Sequence, residues 1–252
     1  GLFRSWLRDL KDAAELGHSA GQTAVARLNP GRPATGRYPV VFDPRVAGSF
    51  LGHFVGAITG TSIARGTSFL KDKMGQAIFA STVGITDDPT RIKGLRSRPF
   101  DGEGMAVAPL SLVRDGVLQS WVLDSRSARQ LGLQSNARAA RGTASPPGPS
   151  ASNLFFEPGT LSPTALMADI KEGLYITEMM GSSINGLTGD YSRGASGFMI
   201  RDGQIAEPVA GFTLAGNLLE IFASITLADD LVFRFGTDAP TLRTDALNTA
   251  GA

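Results

Sequence analysis

The side chains best suited to chemistry in this 252-residue sequence are two histidines, a serine in a glycine-rich turn and two pairs of adjacent aspartates. A zinc hydrolase ordinarily needs three protein ligands and a nearby carboxylate base. His18 has no second histidine within a helical turn or two, and His53, in Leu51-Gly52-His53-Phe54-Val55-Gly56-Ala57, has neither histidine nor carboxylate at i+4. Both read as structural. Ser196, in Gly194-Ala195-Ser196-Gly197, misses the G-x-S-x-G spacing of a nucleophile elbow by one residue and reads as a turn before a strand. The pairs Asp87-Asp88 and Asp229-Asp230 point to different faces and read as turn or cap residues rather than joint ligands. Neither a G-x-G-x-x-G nor a G-x-x-x-x-G-K-[ST] phosphate loop is present. One further stretch, residues 185–198, packs polar, aromatic and glycine residues just before a strand. It suits either a wide irregular turn or a ligand-facing bulge in which glycine admits a neighbouring backbone.

Composition narrows the classes. With 42% apolar and 19% charged residues the chain can bury a substantial core. A formal charge of +1 argues against nucleic-acid binding, because phosphate neutralisation needs clustered cations. The densest basic run, 91–98, holds Arg91, Lys93, Arg96 and Arg98, broken up by Gly and Ser. The absence of cysteine removes disulfides, thiol nucleophiles and cysteine-ligated metals, and fits a cytoplasmic protein. No apolar run approaches the roughly 18 residues needed to span a bilayer, and no signal peptide is legible at the start. The first residue is Gly rather than Met, so the chain is expected to come from something longer.

The elements that must position any site read as α+β, a mainly antiparallel or mixed β-sheet domain with flanking helices. Leu2, Phe3, Trp6, Leu7, Leu10 and Ala14 recur at helical spacing over the first thirty residues, and Asn29-Pro30-Gly31-Arg32-Pro33 stops the helix. A strand at 38–43 leads into a helix at 46–58 that Gly48, Gly52 and Gly56 interrupt. Arg114-Asp115-Gly116, between 105–113 and 117–123, and Arg201-Asp202-Gly203, between 198–200 and 204–205, signal two hairpins. Further strands are expected at 174–177 and 231–235. Helices are expected at 125–131 after an Asp124 cap, at 163–172 with Pro163 in the first turn, and at 217–227. The low-complexity run 141–152 reads as a mobile surface loop.

The sequence resembles the TldD/PmbA family, also called modulators of DNA gyrase or peptidase family U62. The motifs that carry the resemblance are N-G-L-T-G-D-Y-S-R-G-A-S-G-F at 185–198, G-Q-I-A-E-P-V at 203–209 and L-A-G-N-L at 214–218. S-F-L-K-D-K-M-G-Q at 68–76, D-D-P at 87–89, F-D-G-E-G at 100–104, S-N-L at 152–154, E-P-G at 157–159 and P-T-L-R at 240–243 complete the set. Their order covers the chain from about Leu28 onward. By this resemblance residues 1–30 form a linking helix from an amino-terminal domain, and residues 31–252 form the TldD/PmbA-type carboxy-terminal domain.

The resemblance also implies a branch. TldD-like subunits carry an H-E-x-x-x-H zinc motif and a later cysteine ligand; TldE/PmbA-like subunits do not. Here Gly52 stands where the first His would be, His53 where the Glu would be and Ala57 where the second His would be. The implied role is a non-catalytic, metal-free subunit, with no cofactor in this chain and zinc in a TldD-like partner. The pair would act on extended, unfolded peptides held by strand addition. Asn185, Asp190, Tyr191 and Arg193 are the candidate peptide- or partner-binding residues. A homodimeric peptide-binding module, and a hydrolase with an unrecognised site around Ser196 or His53, stay open as alternatives. Neither nucleic acid nor membrane is expected as a partner.

Overall fold

Glycine, proline and aspartate set the boundaries from which the architecture follows. The computed structural model describes residues 9–251. In chain order the first elements are α1 (Ala13–Ala26), β1 (Gly36–Phe42), α2 (Pro44–Ala57), α3 (Gly60–Ala64), β2 (Ile85–Asp87), β3 (Leu110–Arg114) and β4 (Val117–Leu118). Then come α4 (Ser125–Gln130), β5 (Ala139–Ala140), β6 (Gly148–Pro149), β7 (Leu154–Phe156) and α5 (Pro163–Met167). The last are β8 (Glu172–Ile184), β9 (Asp190–Arg201), β10 (Gln204–Asn217), α6 (Leu218–Ala223), β11 (Thr226–Leu227), β12 (Thr237–Asp238) and β13 (Leu242–Ala250).

The main sheet runs β1-β8-β9-β10-β13-β11, and β1 also pairs with β13, so five of its strands close on themselves as a barrel. Bulges let the sheet curl. On β8 the pairing passes from Ile176↔Gly197 to Glu178↔Ser196, leaving Thr177 extra. On β10 it passes from Ala210↔Ser196 to Phe212↔Ala195, leaving Gly211 extra at φ 71°. Both bulges thus face the same level of β9. Pro39, which has no N–H for a ladder, falls in the irregularity between Tyr38 and Val40.

A second sheet runs β12-β7-β2-β3-β4. Helix α2 packs against β1 and β8 of the first sheet and against β7 and β12 of the second. Its buried residues Ala47, Phe50, Leu51, Phe54 and Ala57 recur at three- and four-residue spacing and join one core with both sheets. The α+β class, mostly antiparallel with parallel β1–β8 and β7–β12 pairs, is as the sequence indicates.

Several expected elements differ from those found. The helix expected at 163–172 ends at Met167, because Ile170 N turns back onto Met167 O at 2.9 Å and Glu172 and Gly173 already pair with Arg201 and Ile200 in the β8–β9 ladder. The helix expected at 217–227 ends at Ala223, and Thr226–Leu227 pair instead with β13. The strand expected at 231–235 is absent: the Asp238 carboxylate accepts the N–H groups of Arg234, Phe235 and Gly236 at 2.8, 2.9 and 3.1 Å and winds the segment into a turn. The run at 141–152 is tied down in its second half, where Gly148–Pro149 pair with β5 and Ser152 is buried. Asp87 is not a turn or cap residue; it is buried in β2 and ion-paired with buried Arg138. Asp88 does close a turn, accepting from Thr90 N at 2.8 Å.

Within the stretch expected to be helical at the start of the chain lies α1, which buries none of its residues. Leu2, Phe3, Trp6 and Leu7, expected to form its apolar stripe, lie outside the described residues. No helix among the described residues is long and apolar enough to cross a membrane.

Candidate functional site

Asp43 and Pro44 start α2 and so fix where its side chains point. The Asp43 carboxylate accepts from Arg45 N at 3.0 Å and from the Tyr175 hydroxyl at 3.2 Å, and Pro44 supplies a pre-set first turn. Gly52 then falls on the exposed side, where an added Cβ would meet nothing within 4 Å. Ala57 faces the core. His53 lies between them, half-buried, its ring edge-on to Tyr191 at 5.9 Å and to Phe50 at 6.5 Å.

The Nε2 atom of His53 is buried without a hydrogen-bond partner. Burial, and then the positive charge of Arg193, push the imidazole down to about 4. Protonation must therefore oppose folding. Stability linked to His53 is complete above its unfolded value of about 6.5 and is lost as pH falls towards 4. After discounting for partial exposure, the loss is on the order of 2 kcal/mol. Denaturant unfolding between neutral pH and pH 4 should show this slope in the natural sequence and lack it in His53→Phe; parallel curves would assign the titration elsewhere.

Of the other candidates, Tyr191 is buried, 2% exposed, with its ring stacked on Phe50 at 5.8 Å and its hydroxyl donating to Met179 Sδ at 3.6 Å. Burial raises its hydroxyl above the usual tyrosine range. Its side chain lies in the core, because β9 turns it towards α2. Arg193 is half-buried, and its Nε donates to Gly181 O at 2.8 Å across a β8 irregularity.

Asn185 and Asp190 are exposed at the tip joining β8 to β9. Asn185 Oδ1 accepts from Leu187 N at 3.0 Å, and Asp190 Oδ2 accepts from Thr188 Oγ1 at 2.6 Å. Sequence reasoning missed Asn217, whose amide donates to Thr188 O at 2.9 Å and to Asp190 Oδ1 at 3.3 Å while its oxygen caps α6. Its place in L-A-G-N-L was the available signal. Phe69 N donates to Gly186 O at 2.8 Å, so the tip is docked on the 68–76 motif as well. The tip is exposed and polar, and hydrogen bonds tie it to α6 and to the 68–76 segment.

Among the described residues, Ser196, His53 and His18 are not brought together. Ser196 Oγ donates to Glu178 at 3.3 Å, Glu178 is ion-paired with Arg27, and among the described residues no hydrogen bond joins Ser196 to His53. His18 is exposed on α1. Among the described residues no three His, Cys, Asp or Glu side chains are grouped as a metal site requires. The zinc that a metallopeptidase family implies does not fit here: positions 52 and 57 offer no donor atom, and His53 stands against two aromatic rings.

Fold and site together define a bulged β-barrel domain with a second sheet and a bridging helix. Residues 35–251 match the PmbA/TldA metallopeptidase C-terminal domain, and the chain belongs to that family. It is 35% identical over 246 residues to metalloprotease PmbA of Escherichia coli O157:H7, covering 97% of this chain and 53% of that protein. It is 34% identical to a PmbA homologue of Haemophilus influenzae, covering 94% of this chain and 51% of the relative. The chain thus spans about half the length of the curated relatives it matches. A structure described as a modulator of DNA gyrase from Bacteroides thetaiotaomicron superposes with a TM-score of 0.89 at 26% identity, over 99% of this chain and 55% of that one. TldE from Thermococcus kodakarensis shares the fold, with a TM-score of 0.85 at 22% identity over 94% of this chain and 55% of that one.

Proposed function

We propose that this chain is the carboxy-terminal domain of a metal-free, TldE/PmbA-like subunit that pairs with a TldD-like zinc subunit in the cytoplasm. In this role it performs no bond cleavage. It supports the partner's active site and walls the channel through which an unfolded peptide reaches the partner's zinc. What supports the reading is the residue set on α2: by the family resemblance Gly52, His53 and Ala57 stand at the three functional positions of a zinc motif, and neither Gly52 nor Ala57 carries a donor atom in its side chain.

Two features of the chain's own geometry support it. Strand β8 pairs with β1 only over Leu174–Ile176, so its outer edge beyond Ile176 extends past that ladder and can accept an extended peptide by main-chain hydrogen bonding. The tip that carries Asn185 and Asp190, with Arg193 behind it, offers fixed polar groups next to that edge.

The test is cleavage of an unstructured peptide by the cognate TldD-like subunit, with and without the full-length parent of this chain. Cleavage is expected only when both are present. Changing Asp190 and Arg193 together to Ala is expected to reduce cleavage or pairing about tenfold, the loss of one or two charge-assisted hydrogen bonds. Cleavage by this protein alone would contradict the proposal, and an undiminished double variant would remove the tip from it.

A further inference from the structure

The basic run at 91–98 looks dispersed in sequence, but the fold gathers it around one buried side chain. Asn153, 2% exposed, accepts from Arg96 N at 2.9 Å and donates to Asp88 O at 2.7 Å and Ser97 Oγ at 2.9 Å. A Cβ at Gly94 would sit 2.5 Å from Ser97 Oγ and 2.7 Å from the Asn153 amide, so the loop closes tightly on that hub. From the other side the Asp238 turn brings Phe233 and Arg234 to the same place. Between them lies a cavity of about 300 Å³ lined by Arg91, Lys93, Arg234, Phe233 and Asn153.

The charges around this cavity are unequal. The Asp238 carboxylate is engaged by three backbone N–H groups. Asp9 is the other acid of the lining, and both its oxygens accept from Lys93 Nζ, at 2.8 and 2.9 Å. Arg91 forms no ion pair among the described residues; its guanidinium carbon lies 3.1 Å over the Phe233 ring, which is itself braced edge-on by Phe155 at 5.0 Å. A guanidinium held on an aromatic face keeps its charge and its donors for a carboxylate. Around the mouth Ile92 is 89% exposed and Leu95 38%, with Phe235 at 56% on the adjoining turn.

We infer that this cavity is a docking site for an acidic peptide segment, which places a Glu or Asp carboxylate on Arg91 and apolar neighbours on Ile92 and Leu95. The Asp9–Lys93 contact shows that a carboxylate carried on a polypeptide reaches the rim. Few cations and an apolar mouth suit a peptide better than a nucleic-acid backbone, which is followed by a continuous basic stripe. The inference does not depend on the subunit role proposed above.

Fluorescence anisotropy on the full chain tests it, with a short labelled peptide alternating Glu with Leu and Phe. The controls are the same peptide with Gln or Lys for Glu, and labelled oligothymidylate. The acidic peptide is expected to bind about tenfold more tightly than the Gln peptide at low salt, and to weaken as salt is added. Arg91→Glu should abolish that preference, Arg91→Lys should keep part of it, and Arg114→Glu, exposed at the end of β3, should leave it unchanged. Equal binding of Glu and Gln peptides overturns the inference. So does tighter binding of the Lys peptide or the oligonucleotide, or undiminished binding by an Arg91→Glu chain whose unfolding midpoint is normal. None of these measurements requires a partner subunit, so failure here leaves the peptidase reading standing.

Discussion

Replacing Asp87 by Ala is expected to lower the unfolding free energy by about 4 kcal/mol. Asp87 and Arg138 are each about 1% exposed, and their side chains form an ion pair in the second sheet. Asp87 Oδ1 also accepts from Ser152 N at 2.7 Å and from Ser152 Oγ at 2.9 Å. Arg138 donates further to the carbonyls of Ala108 at 2.6 Å and Asn136 at 2.9 Å. Burial lowers the Arg138 pKa, and the Asp87 carboxylate is the leading influence that opposes it. Taking that carboxylate away leaves a buried cation facing carbonyl oxygens only, and frees the Ser152 N–H as well. Urea denaturation measures the loss. The double change Asp87→Leu with Arg138→Met should recover much of it, because the cost lies in the orphaned charge rather than in the absence of a pair. A single Asp87→Ala variant within about 1 kcal/mol of the natural sequence would mean that water reaches Arg138 after all. Because Ser152 precedes Asn153, the same change should loosen the 91–98 loop and weaken acidic-peptide binding.

Local chemistry is where the sequence was most legible. Asp115 at φ 49° with Gly116 at φ 75°, and Asp202 at φ 48° with Gly203 at φ 77°, form the two-residue turns that Arg-Asp-Gly signals. Asp124 caps α4 by accepting from Ser127 N at 2.8 Å, and Pro163 opens α5 behind a Ser162 cap. Each outcome depends on residues within a few positions of one another. The errors have other causes. Asp238 takes the N–H groups of 234–236 from only two to four positions away, a carboxylate effect that apolar patterning does not register, whereas Glu172 and Gly173 leave the helix for a ladder with the distant Arg201 and Ile200. Asp87 finds Arg138 across 51 positions. No periodicity encodes such pairings.

The candidate site divides the same way. Gly52, His53 and Ala57 could be read as donor-poor from residue type alone, whereas the burial of Tyr191 against Phe50 could not, because it depends on where β9 crosses α2. The gathering of Arg234 beside Arg91 and Lys93 was likewise hidden, since the segment that carries it read as a strand.

Replacing Gly197 by Ala is expected to lower the unfolding free energy by about 3 kcal/mol. A Cβ there would lie 2.0 Å from Tyr175 O and 2.9 Å from Ile176 Cα, both main-chain atoms of β8. The Thr177 bulge presses β8 onto β9 at this level, and β10 bulges at Gly211 on the other side, so neither neighbour can retreat without opening a ladder that closes the barrel. Strand β9 also carries Tyr191 and Arg193, so the displacement should reach the polar tip and reduce complex activity along with stability. Gly52→Ala provides the contrast. That position is exposed and helical, with nothing within 4 Å of an added Cβ, and Ala is the better helix former by about 1 kcal/mol. Urea midpoints should therefore move in opposite directions for the two substitutions. A midpoint for Gly197→Ala equal to that of the natural sequence would show that β8 can yield, whereas a destabilised Gly52→Ala would show that something packs on this face of α2. If both shifts occur as expected, the fold leaves room for a side chain at position 52, so the glycine there is not a steric demand of the helix.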